Sequence, residues 1–321
     1  MYLERKTIHG KKYFYLKQSQ RQDGKVQTRT IAYLGKKPLK KAELRHKIAL
    51  LSQPPAPPET TWSFLGRDQV EKLKQLRRDF AHKMRTLDKP LLAEMFRDFK
   101  TYYIYNTTAI EGNTLTLEET NLLLNENKTP EGKDLREIYD HLNEREVFDF
   151  ILKEKPELTL KTIVDLQARL LKKIDSRIGF RRHNVRVVGA EFTPTEARYV
   201  LTDMKLLLRW YQQQKKNHPL IVAALFHEKF ERVHPFYDGN GRTGRMLLNL
   251  LLLRQGFPPL IIPNAARKEY YRVLSRGHQA GLTRLSPEHY REIVQFCYRQ
   301  LLATYEKVFS RWGAVIPKNK N

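Results

Sequence analysis

From about residue 66 to about residue 310, apolar residues recur at spacings of three and four almost without a break, which is the period of an amphipathic helix and not of a strand. Gln69 to Leu87, Leu91 to Ile110, Leu135 to Leu152 and His289 to Phe309 carry the pattern most clearly, and Gly313 and Pro317 set the outer limit of the last helix. A chain written this way is committed to helix-on-helix packing, because each helix has one apolar stripe to bury. The pattern breaks once. Between Arg182 and Val200, Val185 and Val187 alternate and Val188, Gly189 and Phe192 follow, which predicts a short hairpin or extended flap.

The first 35 residues have the opposite character. Lys12 to Lys17 holds Tyr13, Phe14, Tyr15 and Leu16, and Val26 to Leu34 holds Val26, Ile31, Tyr33 and Leu34. With turn pairs at His9-Gly10 and Asp23-Gly24 and a stop at Gly35, they read as a small antiparallel meander. A short basic helix is expected around Lys41 to Leu51. The run Gln53-Pro54-Pro55-Ala56-Pro57-Pro58 fits neither helix nor central strand and reads as a semi-rigid linker. The expected division is a basic β-rich domain over 1–52, a linker over 53–65, N-terminal helices over 66–130, a helical core over 131–285, and a last helix with a basic tail over 286–321.

Composition removes several classes. The 321 residues contain one cysteine, Cys297, so an intrachain disulfide framework and a multi-cysteine zinc site are excluded. Mean hydropathy is −0.61, and the best candidate for a membrane span, Met246 to Leu253, is far short of the about 20 residues one needs. Met1 to Lys6 is charged and has no apolar signal region, so the expected compartment is the cytoplasm. Net charge is +24, and residues 1–50 hold 14 basic against 3 acidic residues, a balance of +11. Such an arm points to a polyanionic partner, nucleic acid before membrane, because no apolar face accompanies it. Tyr13, Tyr15 and Tyr33 among lysines and arginines suit stacking and phosphate contact. The competing reading is a basic docking domain for protein substrates or for a second copy in a homodimer.

Chemistry concentrates in twelve positions, His234-Pro235-Phe236-Tyr237-Asp238-Gly239-Asn240-Gly241-Arg242-Thr243-Gly244-Arg245. A helix over Pro219 to Val233 precedes them, and a second over Arg242 to Gln255 follows, ended by Gly256. Glycine amides and the free N–H groups of the second helix make an anion site. Arg242 and Arg245 share a helix face and add two guanidinium forks; Asp238 and Asn240 supply a carboxylate and an amide. A nucleoside triphosphate with Mg²⁺ would use all of these parts. Gly239-x-Gly241-x-x-Gly244 also matches a dinucleotide fingerprint, but a helix precedes it and Asn264 stands where an acid is required. A metal stripe of His227, Glu231 and His234, with Asp238 beyond, remains open, as does a core role for His227.

The twelve residues resemble the signature of Fic domain proteins, His-x-Phe-x-Asp-Gly-Asn-Gly-Arg-x-x-Arg, at every specified position. The resemblance covers roughly 66–280 and leaves the first 58 residues outside. It implies an all-α Fic-type core with a short β-hairpin flap, here preceded by the basic meander. It also implies transfer of AMP from ATP to a Ser, Thr or Tyr hydroxyl of a target protein. His234 would be the general base and Asp238 the Mg²⁺ ligand; Gly239, Asn240, Gly241, Arg242, Thr243, Gly244 and Arg245 would bind the phosphates, and Phe236 would anchor the loop. The flap over 185–192 would hold the target by strand addition, with Val187, Val188 and Gly189 over the nucleotide. Tyr270 and Tyr271 would line the adenine side, and His278 stands where the family often has Asn.

A second likeness lies upstream. Thr107, Glu111 and Gly112 fall on the Fic inhibitory motif, Ser/Thr-x-x-x-Glu-Gly/Asn, with Gly112 and Asn113 as helix stops. A carboxylate at that end of a helix faces the negative pole of the dipole and needs a cation; the resemblance implies Arg245. Relatives with the same Glu also remove AMP, so de-adenylylation is the alternative activity, and a nucleic-acid-associated regulator is the alternative from another class.

Overall fold

The helices form where the spacing places them. A computed structural model describes residues 2–8, 10–22, 25–35, 64–187, 192–214, 216–283 and 286–312; among them are ten α-helices and one three-stranded antiparallel sheet. The helices are α1 (Arg67–Thr86), α2 (Lys89–Ile110), α3 (Leu117–Asn125), α4 (Leu135–Glu154), α5 (Leu160–Leu170), α6 (Val200–Gln213), α7 (Pro219–Val233), α8 (Asn240–Arg254), α9 (Arg267–Gly277) and α10 (Pro287–Thr304). The last continues into one wider π-type turn, Tyr305–Phe309. His9, the turn pair Asp23-Gly24, the basic helix at Lys41 to Leu51, the proline run from Gln53 to Pro58, Val188 and Gly189, and Gly313 and Pro317 lie outside the described residues.

Local chemistry sets the helix starts. Asp88 caps α2 by accepting from the Leu91 N–H at 2.9 Å, with Pro90 in the first turn. Thr116 and Glu119 form a reciprocal capping box on α3. Helix α8 begins two residues before its expected start, because Gly239 at φ 80 serves as its N-cap.

Helices α7 and α8 form the centre. Every residue from Leu220 to Glu231 and from Arg242 to Leu253 is buried, so both helices are covered on all sides. Around them, Phe99 of α2 stacks within 5.1–5.6 Å of Tyr103, Phe148 and Phe309 and joins α2, α4 and the C-terminal turn. No helix among the described residues is long and apolar enough to cross a membrane.

The sheet is β1 (Tyr2–Ile8), β2 (Lys11–Gln22) and β3 (Lys25–Gly35) in that order, with Gly10 at φ 72 in the first turn. Phe14, Leu16 and Leu34 fill its inner face against Tyr199, Leu206 and Leu282 of the helical body. The flap arms at 182–187 and 192–196 are irregular and tied by side chains: Asn184 Oδ1 accepts from the Ala197 N–H at 2.8 Å, and Arg181 Nη2 donates to the Thr195 carbonyl.

The Phe99 cluster joins elements from both ends of the helical region. Phe148→Ala is expected to cost about 3–5 kcal/mol of unfolding free energy, read as a lower urea midpoint with an unchanged m-value.

Candidate active site

The motif loop is shaped before any ligand arrives. His234 ends α7 in the left-handed region, φ 49 and ψ 61, with its N–H on the Phe230 carbonyl at 2.9 Å. Asn240 lines the cleft and spends its side-chain amide within the loop. Its Oδ1 accepts from Phe236 N–H at 2.9 Å and its Nδ2 donates to the Phe236 carbonyl at 3.0 Å, closing the loop on itself. Phe236 is buried against Phe180 and Phe230, as its anchoring role requires.

Arg181, a residue the sequence reading passed over, fixes the loop from behind. It is buried, its Nε donates to the His234 carbonyl at 2.7 Å, and its other nitrogens reach the carbonyls of His183, Val233 and Thr195. A buried guanidinium has to be hydrogen-bonded, and here the partners are main-chain oxygens of the motif and of the flap base. Tyr237 adds a second tie: its hydroxyl accepts from the Arg182 N–H at 2.9 Å.

Two lobes open from this loop and share Glu111, His234 and Gly241. One, of about 210 Å³, is lined by Arg136, Asp140, Asp238 and Arg242. The other, of about 370 Å³, is lined by Val187, Phe192, Arg245, Tyr270, Tyr271 and His278. The first is charged, and the second sets aromatic and apolar side chains beside Glu231, Arg245 and Arg267, a division suited to the phosphates and the base of a nucleotide.

The arginines occupy different settings. Arg242 is buried and bonds Asp140 of α4, with Asp238 at 3.8 Å. Arg245 is buried; its Nε donates to Thr107 Oγ1 at 2.7 Å and its Nη2 to the Thr107 carbonyl at 3.0 Å and to Glu111 Oε1 at 2.6 Å. Glu111 thus crosses from the C-terminal end of α2 to the N-terminal end of α8, from the negative pole of one helix dipole to the positive pole of another. A Cβ on Gly241 would lie 2.2 Å from Glu111 Oε1, so the carboxylate lies directly against the first turn of α8, where an anion would bind.

Asp238 is also engaged. Its Oδ2 accepts from Arg136 Nη2 at 2.6 Å and its Oδ1 from the Gly239 N–H at 2.6 Å. Mg²⁺ takes one or two carboxylates plus substrate phosphates, not a protein cage; Asp238 is a donor of that type, and in this structure it is paired with Arg136. No group of three His, Cys, Asp or Glu side chains able to hold a metal occurs among the described residues. The stripe His227, Glu231, His234 does not converge: His227 Nε2 is bonded to Tyr270 Oη at 2.7 Å and its Nδ1 is 3.9 Å from Glu231.

Thr243 is fully buried and lines neither lobe, because it faces the core side of α8. Gly244 allows close packing, since a Cβ there would meet Glu231 at 2.2 Å. Tyr270 is buried beneath the aromatic lobe while Tyr271 is 39% exposed at its wall. His278, in place of an amide, pairs with buried Glu228 at 2.8 Å and packs on Phe192 at 4.1 Å.

Burial governs the titrating groups. It pushes His234 down to about 4, helped by the Arg181 cation and opposed by the Glu231 carbonyl and Glu111. It raises Glu144 and Glu231 to about 8, against the pull of the motif arginines.

These features match known proteins. The Fic/DOC family model matches residues 157–252. Protein adenylyltransferase fic-1 of Caenorhabditis elegans is 34% identical over 232 residues, 70% of this chain and 44% of that protein. Protein adenylyltransferase Fic of Drosophila melanogaster is 37% identical over 187 residues, 56% of this chain and 38% of that one. The chain therefore spans less than half the length of these curated relatives. Among solved structures, Fic-1 from C. elegans superposes with a TM-score of 0.62 at 30% identity, covering 75% of this chain and 71% of that one. A Fic domain containing signaling protein from Bacteroides thetaiotaomicron gives 0.67 at 26% identity, over 73% and 95%. Fold and loop define a helical protein with a nucleotide-type cleft built on one helix–loop–helix. The chain belongs to the Fic/DOC family.

Glu144 has no hydrogen-bond partner on either oxygen. Its folded pKa of about 8 exceeds the usual 4.5, so it favours folding fully below pH 4.5 and loses that contribution as pH rises to 8. Glu144→Gln is therefore expected to be more stable relative to wild type at pH 8 than at pH 6, measured by urea denaturation; an equal difference at both pH values would refute the neutral carboxyl.

Proposed function

We propose that the chain is a protein adenylyltransferase that moves AMP from ATP to a hydroxyl side chain of a target protein, and that Glu111 restrains it. The observation that carries this reading is the 2.6 Å contact of Glu111 with Arg245 at the N-terminus of α8, beside His234 and Asp238.

ATP lies with its base in the aromatic lobe and its phosphates along the first turn of α8. Arg242 and Arg245 fork onto the outer phosphates. Asp238 would hold Mg²⁺, which would supply charge neutralisation at the phosphates. His234 is neutral at pH 7, the form a base needs, and the bound phosphates raise its basicity towards working pH. The target hydroxyl gives its proton to His234 as its oxygen bonds the α-phosphorus; the bond from that phosphorus to the bridging oxygen breaks, and pyrophosphate leaves with the electron pair. Val187 at the cleft edge supports a role for the flap in holding the target segment by strand addition.

Restraint follows from competition, because Glu111 takes a donor of Arg245 and the space over Gly241 that an outer phosphate needs. The carboxylate is 38% exposed while Arg245 is 3% exposed, so solvent softens the pair and a modest change can open it. A charge-assisted hydrogen bond of about 1.5–3 kcal/mol corresponds to roughly ten- to a hundredfold in rate.

Glu111→Gly in Mg²⁺-ATP is expected to raise AMP incorporation by about that factor, and adding His234→Ala to lower it by about 10²–10⁴, read by intact mass. Unchanged incorporation in the single variant would overturn the restraint. Loss of AMP from a pre-modified target would assign the reverse reaction instead. The Arg136–Asp238 bridge is partly exposed and worth up to about 1 kcal/mol. Arg136→Ala should therefore tighten Mn²⁺ binding to nucleotide-free protein by up to about fivefold, followed by electron paramagnetic resonance.

A further inference from the structure

The N-terminal sheet has two unlike faces. The inner one is apolar and closed on the helical body through Phe14, Leu16 and Leu34, and Thr202 Oγ1 donates to the Tyr33 carbonyl at 3.4 Å. This anchors the sheet and turns its other face to solvent. Strand alternation places Tyr13, Tyr15 and Lys17 of β2 on that outer face, and pairing brings Lys6, Glu4 and Tyr33 beside them. The Tyr33 ring centroid is 5.3 Å from that of Tyr15 and 6.2 Å from that of Tyr13, with the rings tilted by 44° and 39°, so three half-buried rings make one contiguous aromatic cluster. Lys6 lies 5.9 Å over Tyr15. Lys17 pairs with Glu4 at 2.8 Å, and Lys6 is 3.9 Å from the same carboxylate.

A three-stranded sheet needs one apolar face to fold on a neighbour, and here that need is met by the inner face. The outer aromatic cluster is surplus to folding. It belongs to a segment with a balance of +11 over residues 1–50. An occupant has to bring negative charge and flat π faces together. Unpaired bases on a phosphate chain do so, whereas an acidic protein brings charge without the stacking surface, and a duplex keeps its base faces stacked inside.

We infer that the outer face of this sheet binds single-stranded nucleic acid, with bases on Tyr13, Tyr15 and Tyr33 and phosphates on Lys6, Lys17 and neighbouring cations. The inference is independent of the adenylylation reading. Glu4 gives up its lysines to phosphate in the bound state, so affinity is steeply salt-dependent.

The test uses the full chain and fluorescence anisotropy with oligo-dT and oligo-U of about 12 nucleotides, a duplex of the same length, and poly-glutamate as competitor, from roughly 50 to 200 mM KCl. Both single strands should bind more tightly than the duplex. Tyr15→Leu/Tyr33→Leu keeps apolar bulk and removes the π faces; it should weaken binding about tenfold or more without altering the salt slope or the melting temperature. Lys6→Ala should flatten the slope by about one. Three results would each overturn the inference: no binding at the lowest salt, a duplex bound as tightly with no effect of the tyrosine changes, or displacement by poly-glutamate at equal charge concentration. The last would mark a docking face for an acidic protein.

Discussion

Arg245 is a guanidinium inside the protein, and a buried cation left without partners would cost several kcal/mol. Its partners come from one place, the last turn of α2, where Thr107 offers a hydroxyl and a carbonyl and Glu111 a carboxylate. The need to satisfy that one side chain ties the N-terminal helices to the motif helix. The two Thr107 bonds hold Arg245 in place whatever Glu111 does. Glu111 is the partner that can leave, because it is the exposed one and because an incoming phosphate offers the same charge.

Much of the cleft's precision comes from groups that would never touch a ligand. Asn240 spends both ends of its amide on Phe236, Arg181 spends its donors on main-chain oxygens, and Gly244 yields its side-chain space to Glu231. These contacts fix the amides of α8 and the imidazole of His234 relative to each other, the condition under which positioning and charge can do most of the work in phosphoryl-type transfer. The flap base shares the Arg181 and Tyr237 ties, so both described flap arms are referenced to the same loop.

Legibility in the sequence followed chain distance. The helices were readable because their signal is local periodicity, and Pro219–Val233 matches its expected bounds. The loop was readable because twelve consecutive residues carry it, and the Glu111–Arg245 contact because each partner sits in a motif. Arg136, Asp140, Arg181 and Glu144 were not readable. Each reaches the site from another part of the chain, at ordinary spacing for a helix surface or a loop, and only packing tells a surface arginine from one lying on Asp238. The side-chain settings of Asn240 and Thr243 were not readable for the opposite reason: membership of a motif says that a residue type is required, not which side of the loop it faces.

The buried carboxyls add a constraint on how the cleft can change state. Glu144 and Glu231 lie near Arg242 and Arg245, and burial holds both towards the neutral form. Were they ionised, each would satisfy the arginines from within, and phosphates would have to compete with permanent internal partners. Held towards the neutral form, they leave the Arg245 guanidinium to Glu111, while Arg242 has Asp140 of α4 as its partner. On the proposed reading, that leaves Glu111 as the half-exposed carboxylate that a phosphate would have to displace from Arg245.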